Sequence, residues 1–310
     1  LGISPAHAMS IIRESRRKPL AGRVFVVGRQ WMLFETAEAL KLARRGGVDV
    51  SGIDAASLEV DEDTRKNQPG NWIRDDAFFR ILGVPKLESI DVSDYEGASV
   101  IHDLNTPIPD HMEGIADVIV DGSTLDNVFD PACCIRNLSR MLKPGGRLIS
   151  FVLGSNHYCP YIILTPLWLH DYFVMNRFKS VRVTAVLYRE DGSHNALAVD
   201  QIPEGPNWMP NPPNGYVTGL VLIAEKAEHS TWNVNPIQHQ YRGSENEAHY
   251  RKLLAEMETG LPDAMTSNGP QFCDSPAGYR FVPDPWYKAE EPPKIISFPR
   301  RILHRLRKAI

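Results

Sequence analysis

The chain has 310 residues, 43% of them hydrophobic and 23% charged, enough apolar material to bury a large core in one big domain or in one domain with appendages. Its formal net charge of -4 and pI near 6.2 argue against bulk electrostatic binding of nucleic acid, which needs clustered phosphate-neutralising Lys and Arg. No run approaches the roughly 20 apolar residues of a membrane span, no secretory apolar core opens the chain, and Cys133, Cys134, Cys159 and Cys273 read as reduced thiols; together these point to the cytoplasm.

In chain order, residues 1–20 read as a leader, an exposed helix or arm carrying Arg13, Arg16, Arg17 and Lys18. The β-branched and aromatic run 23–28, ended by Gly28, predicts a strand buried on both faces. Residues 36–45 predict a helix stopped by Gly46 and Gly47, 48–53 a short strand, 61–71 a polar surface loop, and 75–82 a helix ending at Gly83. Strands follow at 87–91, 99–103, 117–121 and 147–153, with a helix at 131–142 that Asp130 caps and Gly145 and Gly146 follow. Such alternation implies a doubly wound α/β fold with a mostly parallel sheet. A helix at 166–175 precedes two strands, 181–188 and 216–224, that would pair antiparallel at one sheet edge. Residues 21–227 thus form the domain, and 228–310 an extension with one amphipathic helix near 245–257.

In an open parallel sheet, ligands sit beyond the carboxyl ends of the strands, near the point where strand order reverses. Here that rim carries Gly28, Arg29 and Gln30, then Asp91, then Asp103 with Leu104 and Asn105, then Asp121 and Gly122. Three strands each delivering an aspartate to one rim is costly unless donors or a cation meet the carboxylates. A ligand with ribose hydroxyls, an amine and a sulfonium would supply them, whereas single aspartates commonly just end strands and cap turns.

Residues 116–130, the helix after them and the sequence Leu142-Lys143-Pro144-Gly145-Gly146 before a strand resemble the central half of the small-molecule class I methyltransferases. The glycines permit a tight return into the sheet, and the proline forbids further helix. The resemblance covers 23–224 by element order and 87–151 by motif. It implies S-adenosylmethionine as cofactor and methyl transfer to a small molecule or glycan-type acceptor. Gly28 would let the backbone approach that cofactor, Asp91 would hold the ribose hydroxyls, and Asp103 and Leu104 would face the adenine. Asp121 and Gly122 would line the floor near the methionine part, with Asp126 and Asn127 reaching toward the acceptor.

The first loop departs from the family, keeping one glycine where several are usual. Arg29 as a bidentate partner of the methionine carboxylate, and Gln30 as a second donor, would compensate; as ordinary polar residues at a strand end they would not. Asp54 competes with Asp91 for the ribose role, although the strands that follow Asp91 directly favour it. Trp31, Tyr95 and Tyr158 either stack at the rim or pack. In-line methyl transfer demands alignment and needs a base only for a protonated acceptor; Asp126 and His157 are the candidates.

No His or Cys pair shows metal-ligand spacing, and no phosphate loop or serine nucleophile elbow is present. At the C-terminus, Ile302, Leu303, Leu306 and Ile310 alternate with basic residues. This basic amphipathic helix would either touch an anionic membrane surface or dock on its own domain. The eroded first loop also motivates a second class, a methyltransferase-like binding protein without turnover, and a weaker third, a dehydrogenase.

Overall fold

The computed structural model describes residues 2–61, 70–154, 160–189, 194–198, 216–257 and 280–282. Its elements are β1 (Gly2–Ile3), α1 (Pro5–Arg17), β2 (Val24–Val27), β3 (Trp31–Met32), α2 (Thr36–Arg45), α3 (Asp75–Ile81), β4 (Leu87–Asp91), β5 (Val100–Ile101) and β6 (Ala116–Gly122). After these come α4 (Pro131–Met141), β7 (Leu142–Leu153), α5 (Pro166–Met175), β8 (Lys179–Arg189), β9 (His194–Ala198), β10 (Tyr216–Glu225), α6 (Gly243–Glu256) and β11 (Arg280–Val282).

A nine-stranded sheet runs β11-β9-β8-β10-β7-β6-β2-β4-β5. From β5 to β7 the five strands are parallel, and the chain builds outward from β2 first to β4 and β5, then crosses back to β6 and β7. Strand order therefore reverses between β2 and β6. Beyond β7, β10 inserts antiparallel, with β8 outside it, so the two late strands form the antiparallel edge read from the sequence.

The four residues of β2 are all buried because they alternate between two cores. Val24 and Val26 face α1, α2 and α3, whereas Phe25 and Val27 face α4, α5 and α6. Helices on both faces are what a continuous apolar strand requires. At the return into β7, Gly145 takes φ 79°, and a Cβ on Gly146 would stand 2.9 Å from the carbonyl oxygens of Ala116 and Lys143. Strand pairing here begins early, at Leu142 against Ala116, with an irregularity before Arg147 meets Val118.

Three expectations change. The leader is a helix, α1, but not an exposed one: its Ala8, Ile11 and Ile12 are wholly buried, each Ile worth roughly 1.5–3 kcal/mol of burial. Its Glu14, 2% exposed, meets Arg147 at 3.0 Å and Arg182 at 2.5 Å, which ties α1 to β7 and β8. No strand forms at 48–53; Asp49 accepts from the Ser51 amide at 2.9 Å, and the segment turns instead. The strand expected at 99–103 shortens to β5 because Asp103 opens a turn of its own.

Candidate functional site

β2 ends at the order reversal, and Gly28 leaves it with φ 68°, a conformation that L side chains rarely adopt. Its amide donates to the Ile90 carbonyl at 2.7 Å, which keeps the turn against β4. A Cβ on Gly28 would stand 3.3 Å from Asp91 Oδ2, so the glycine and the carboxylate expected to share a site do adjoin. Asp91 is half-buried, and the hydrogen bond that its carboxylate accepts, from the Ser93 amide, is long at 3.4 Å.

The other rim aspartates behave differently. Asp103 Oδ1 accepts from the Asn105 amide at 2.9 Å and from Asn105 Nδ2 at 2.8 Å, and these bonds hold its carboxyl below the usual range. It closes its own turn. Leu104, expected beside adenine, is 5% exposed and packs in the core with Val27 and Ile90. Asp121 has no exposed surface: one oxygen accepts from Ser150 Oγ at 2.6 Å and the other from the Thr124 amide at 2.7 Å. Burial pushes its carboxyl up to about 7, against the pull of Ser150 and Thr124. Its side chain therefore joins β6 to β7 rather than lining a ligand floor.

Arg29 and Gln30 do not offer a free donor pair. The Arg29 guanidinium donates to Asp75 Oδ1, and the Gln30 amide donates to Asp75 Oδ2 at 2.9 Å. Asp75 opens α3 and is 2% exposed; burial raises its carboxyl and Arg29 draws it back. The Gln30 side chain, 6% exposed, lies over Gly122, where a Cβ would stand 1.7 Å from its Oε1. Its Nε2 donates to the carbonyls of Val27 at 2.7 Å and Gly28 at 3.1 Å, while Oε1 is buried with no partner among the described residues. A flipped amide would press its oxygen against two carbonyls, so the orphan is the acceptor. The two bonds contribute about 1–3 kcal/mol and the orphaned oxygen costs about 1–3 kcal/mol, so this placement is close to balanced.

Asp126, expected as a base, is fully buried. It accepts from Ser123 Oγ at 2.6 Å and from the Leu153 amide at 2.7 Å, and the Ile162 amide donates to its carbonyl at 3.2 Å. Burial raises its carboxyl and the Ser123 and Leu153 bonds lower it. It pins the loop after β6 to the end of β7, with Ser123 held at φ 82°. A carboxylate so occupied is not placed to receive an acceptor's proton. His157 and Tyr158, and the C-terminal segment 298–310, lie outside the described residues.

Sequence reading missed a cleft of about 520 Å³ beside Gln30, lined also by Arg29, Trp31, Leu58, Asp61 and Glu96. Glu96, in the turn after β4, has its carboxyl raised by burial and by Asp91, with Trp31 bonding against that rise. The cleft's sequence signal was the long stretch between α2 and β4, from which Leu58, Asp61, Arg74 and Asp75 line it. Tyr95 is 88% exposed, whereas Trp31 is half-buried in the cleft wall. Asp54 caps a short turn through the Ala56 amide at 3.0 Å and does not line the cleft. Among the described residues no group of three or more His, Cys, Asp and Glu could hold a metal, and no helix is long and apolar enough to cross a membrane.

No protein-family profile matches the chain, and no curated protein does. Among solved structures, the citrinin polyketide synthase CMeT domain aligns at 10% identity and TM-score 0.39, covering 72% of this chain and 52% of that one. The chain thus spans about half the length of that relative. Burkholderia thailandensis 1,6-didemethyltoxoflavin-N1-methyltransferase aligns at 15% identity and TM-score 0.36 over 71% of this chain and 79% of its own. Geranyl diphosphate methyltransferase, solved with SAM, gives 12% identity and TM-score 0.35 over 72% and 85%. At these identities and TM-scores the likeness carries no argument, and both the fold and the site rest on this chain's own residues. By its strand order, its reversal between β2 and β6 and its antiparallel strands beyond β7, the chain has the Rossmann-like, mostly parallel α/β fold with an antiparallel edge that the sequence predicts.

Proposed function

We infer that the chain binds S-adenosylmethionine across the rim at Gly28 and Asp91 and transfers its methyl group to a small-molecule or glycan-type acceptor. One observation carries this reading: at the order reversal of a parallel sheet, a left-handed glycine adjoins a half-buried carboxylate whose one hydrogen-bond donor among the described residues is a backbone amide at 3.4 Å. A vicinal diol would satisfy that carboxylate with two hydroxyl donors, and Gly28 would let it approach the backbone.

The residues fit the nucleoside end of this cofactor. At its amino-acid end they must rearrange, because Gln30 covers Gly122 and Arg29 is engaged with Asp75. When bound, the cofactor supplies an activated methyl group. The chain's own part is binding, orientation and the exclusion of water: Asp91 holds the sugar, Gly28 admits it, and the Asp126 hydrogen bonds set the loops that flank the acceptor. For an acceptor that must lose a proton, Glu96 is the rim carboxyl best suited, since burial and Asp91 raise its proton affinity above the ordinary.

The filled space over Gly122 favours a second reading, a methyltransferase-like binding protein without turnover. Calorimetric titration with adenosylmethionine and adenosylhomocysteine decides first: binding of both supports the cofactor, and no heat with either removes it. Methyl-labelled adenosylmethionine incubated with the chain and a small-molecule extract then separates the two. Label transferred to an acceptor supports the enzyme, and binding without transfer supports the silent protein.

A further inference from the structure

The crevice where strand order reverses is occupied by the chain's own Gln30. Its carboxamide rests on Gly122 so closely that a Cβ there would come within 1.7 Å of Oε1, 2.5 Å of Cδ and 3.1 Å of Nε2, with no other atom nearer. Nothing but hydrogen in place of a side chain at position 122 makes room for this amide. The anchoring is one-sided: Nε2 donates to two carbonyls of the β2 turn, whereas Oε1, buried, has no partner among the described residues. A group that fills its space well normally satisfies both ends of its amide. Gln30 also forms part of the wall of the cleft of about 520 Å³, a volume in the range of small-molecule sites, so empty space adjoins the plugged crevice.

We propose that Gln30 is a displaceable partition, which closes the crevice over Gly122 in this state and must swing out when a ligand occupies that crevice. The proposal rests on the cofactor reading above and adds to it a residue that sets access. Displacement exchanges two hydrogen bonds and one orphaned oxygen for a solvated amide, so it costs little. The backbone of Gln30 need not move, because its amide stays on Asp75. Ligands that extend over Gly122 must expel the side chain, and those confined to the Asp91 end need not. Position 30 therefore discriminates by ligand length rather than by ligand charge.

Two measurements test this. In Gln30→Ala the crevice stands open, and calorimetry is expected to show adenosylmethionine and adenosylhomocysteine binding severalfold more tightly than to the native chain, with adenosine unchanged. Unchanged or weaker binding of the two longer ligands overturns the partition while leaving the cofactor reading intact. Absence of binding to either protein overturns both. Independently of any ligand, Gly122→Ala should lower the melting temperature by several degrees in the native background and have no such effect on top of Gln30→Ala. Equal losses in the two backgrounds would show that Gln30 does not occupy the crevice, and the proposal fails.

Discussion

Asp91 ends β4 and Asp121 stands one residue before the end of β6, the two strands that flank β2, yet one aspartate stands at an open rim and the other is sealed inside. Register decides between them. Asp121 pairs level with Val27, whereas the residue level with Val27 on β4 is Ile90, which puts Asp91 one step further out beside Gly28. One residue of stagger turns the same side chain from a ligand-facing group into a link between strands, because Ser150 on β7 stands directly opposite Asp121. An acid on a strand end becomes structural when its neighbours supply donors at its own level.

If internal donors make an acid structural, the largest effect belongs to Glu14, held by three arginines far from the rim strand ends. Glu14→Ala should cost about 3–5 kcal/mol in denaturant unfolding, because it leaves Arg147, 1% exposed, without its counter-charge. Burial alone would raise the Glu14 carboxyl, but Arg17, Arg182 and Arg147 hold it below its ordinary 4.5. That stabilisation is present above the unfolded value and is lost as pH falls through the folded one, so the native chain should weaken below about pH 4.5. The variant should lack this part of the acid loss. Asp126→Ala comes next, at about 2–3 kcal/mol, since it orphans the Leu153 amide and the Ser123 hydroxyl; equal stability would show that the two loops do not depend on it.

Asp121→Asn sharpens the comparison by pH. Between its ordinary 3.8 and about 7, the folded chain keeps a proton that the unfolded chain has released. Stability should therefore fall as pH rises through that window, by up to about 1.4 kcal/mol per pH unit. Asparagine, which can satisfy Thr124 and Ser150 without ionising, should flatten the slope. Smallest in stability is Asp91→Asn, within about 0.5 kcal/mol of the native chain. Its adenosylmethionine affinity should nevertheless drop about 100-fold, equivalent to about 2.7 kcal/mol. A large stability loss with unchanged affinity would reverse the roles given to Asp91 and Asp121.

Much of the architecture was legible because its signals are local. α2 and α5 coincide with the predicted spans, and β2 differs only at its ends, since helix periodicity, proline starts and glycine stops act within a few residues. α1 was misjudged because Arg13, Arg16 and Arg17 suggested solvent, while the partners that bury Glu14 come from β7 and β8, more than 130 residues away. The strand expected at 48–53 was a propensity without a partner, because β4 and β5 take that side of the sheet. At the site, residue type was readable and register was not. Gly28 and Asp91 meet as expected, but nothing in the order Gly28-Arg29-Gln30 tells that Asp75 captures two of these residues or that Gln30 folds back onto Gly122. Such contacts depend on where 70–75 crosses the rim, which no local pattern encodes.

A crystal structure of the chain with adenosylhomocysteine tests the central claim most directly. The ribose hydroxyls are expected at hydrogen-bond distance, about 2.6–3.2 Å, from the Asp91 carboxylate, beside Gly28 and with the Gln30 amide lifted from Gly122. Ligand density away from Asp91, or an Asp91 carboxylate that meets only solvent in the complex, would contradict it.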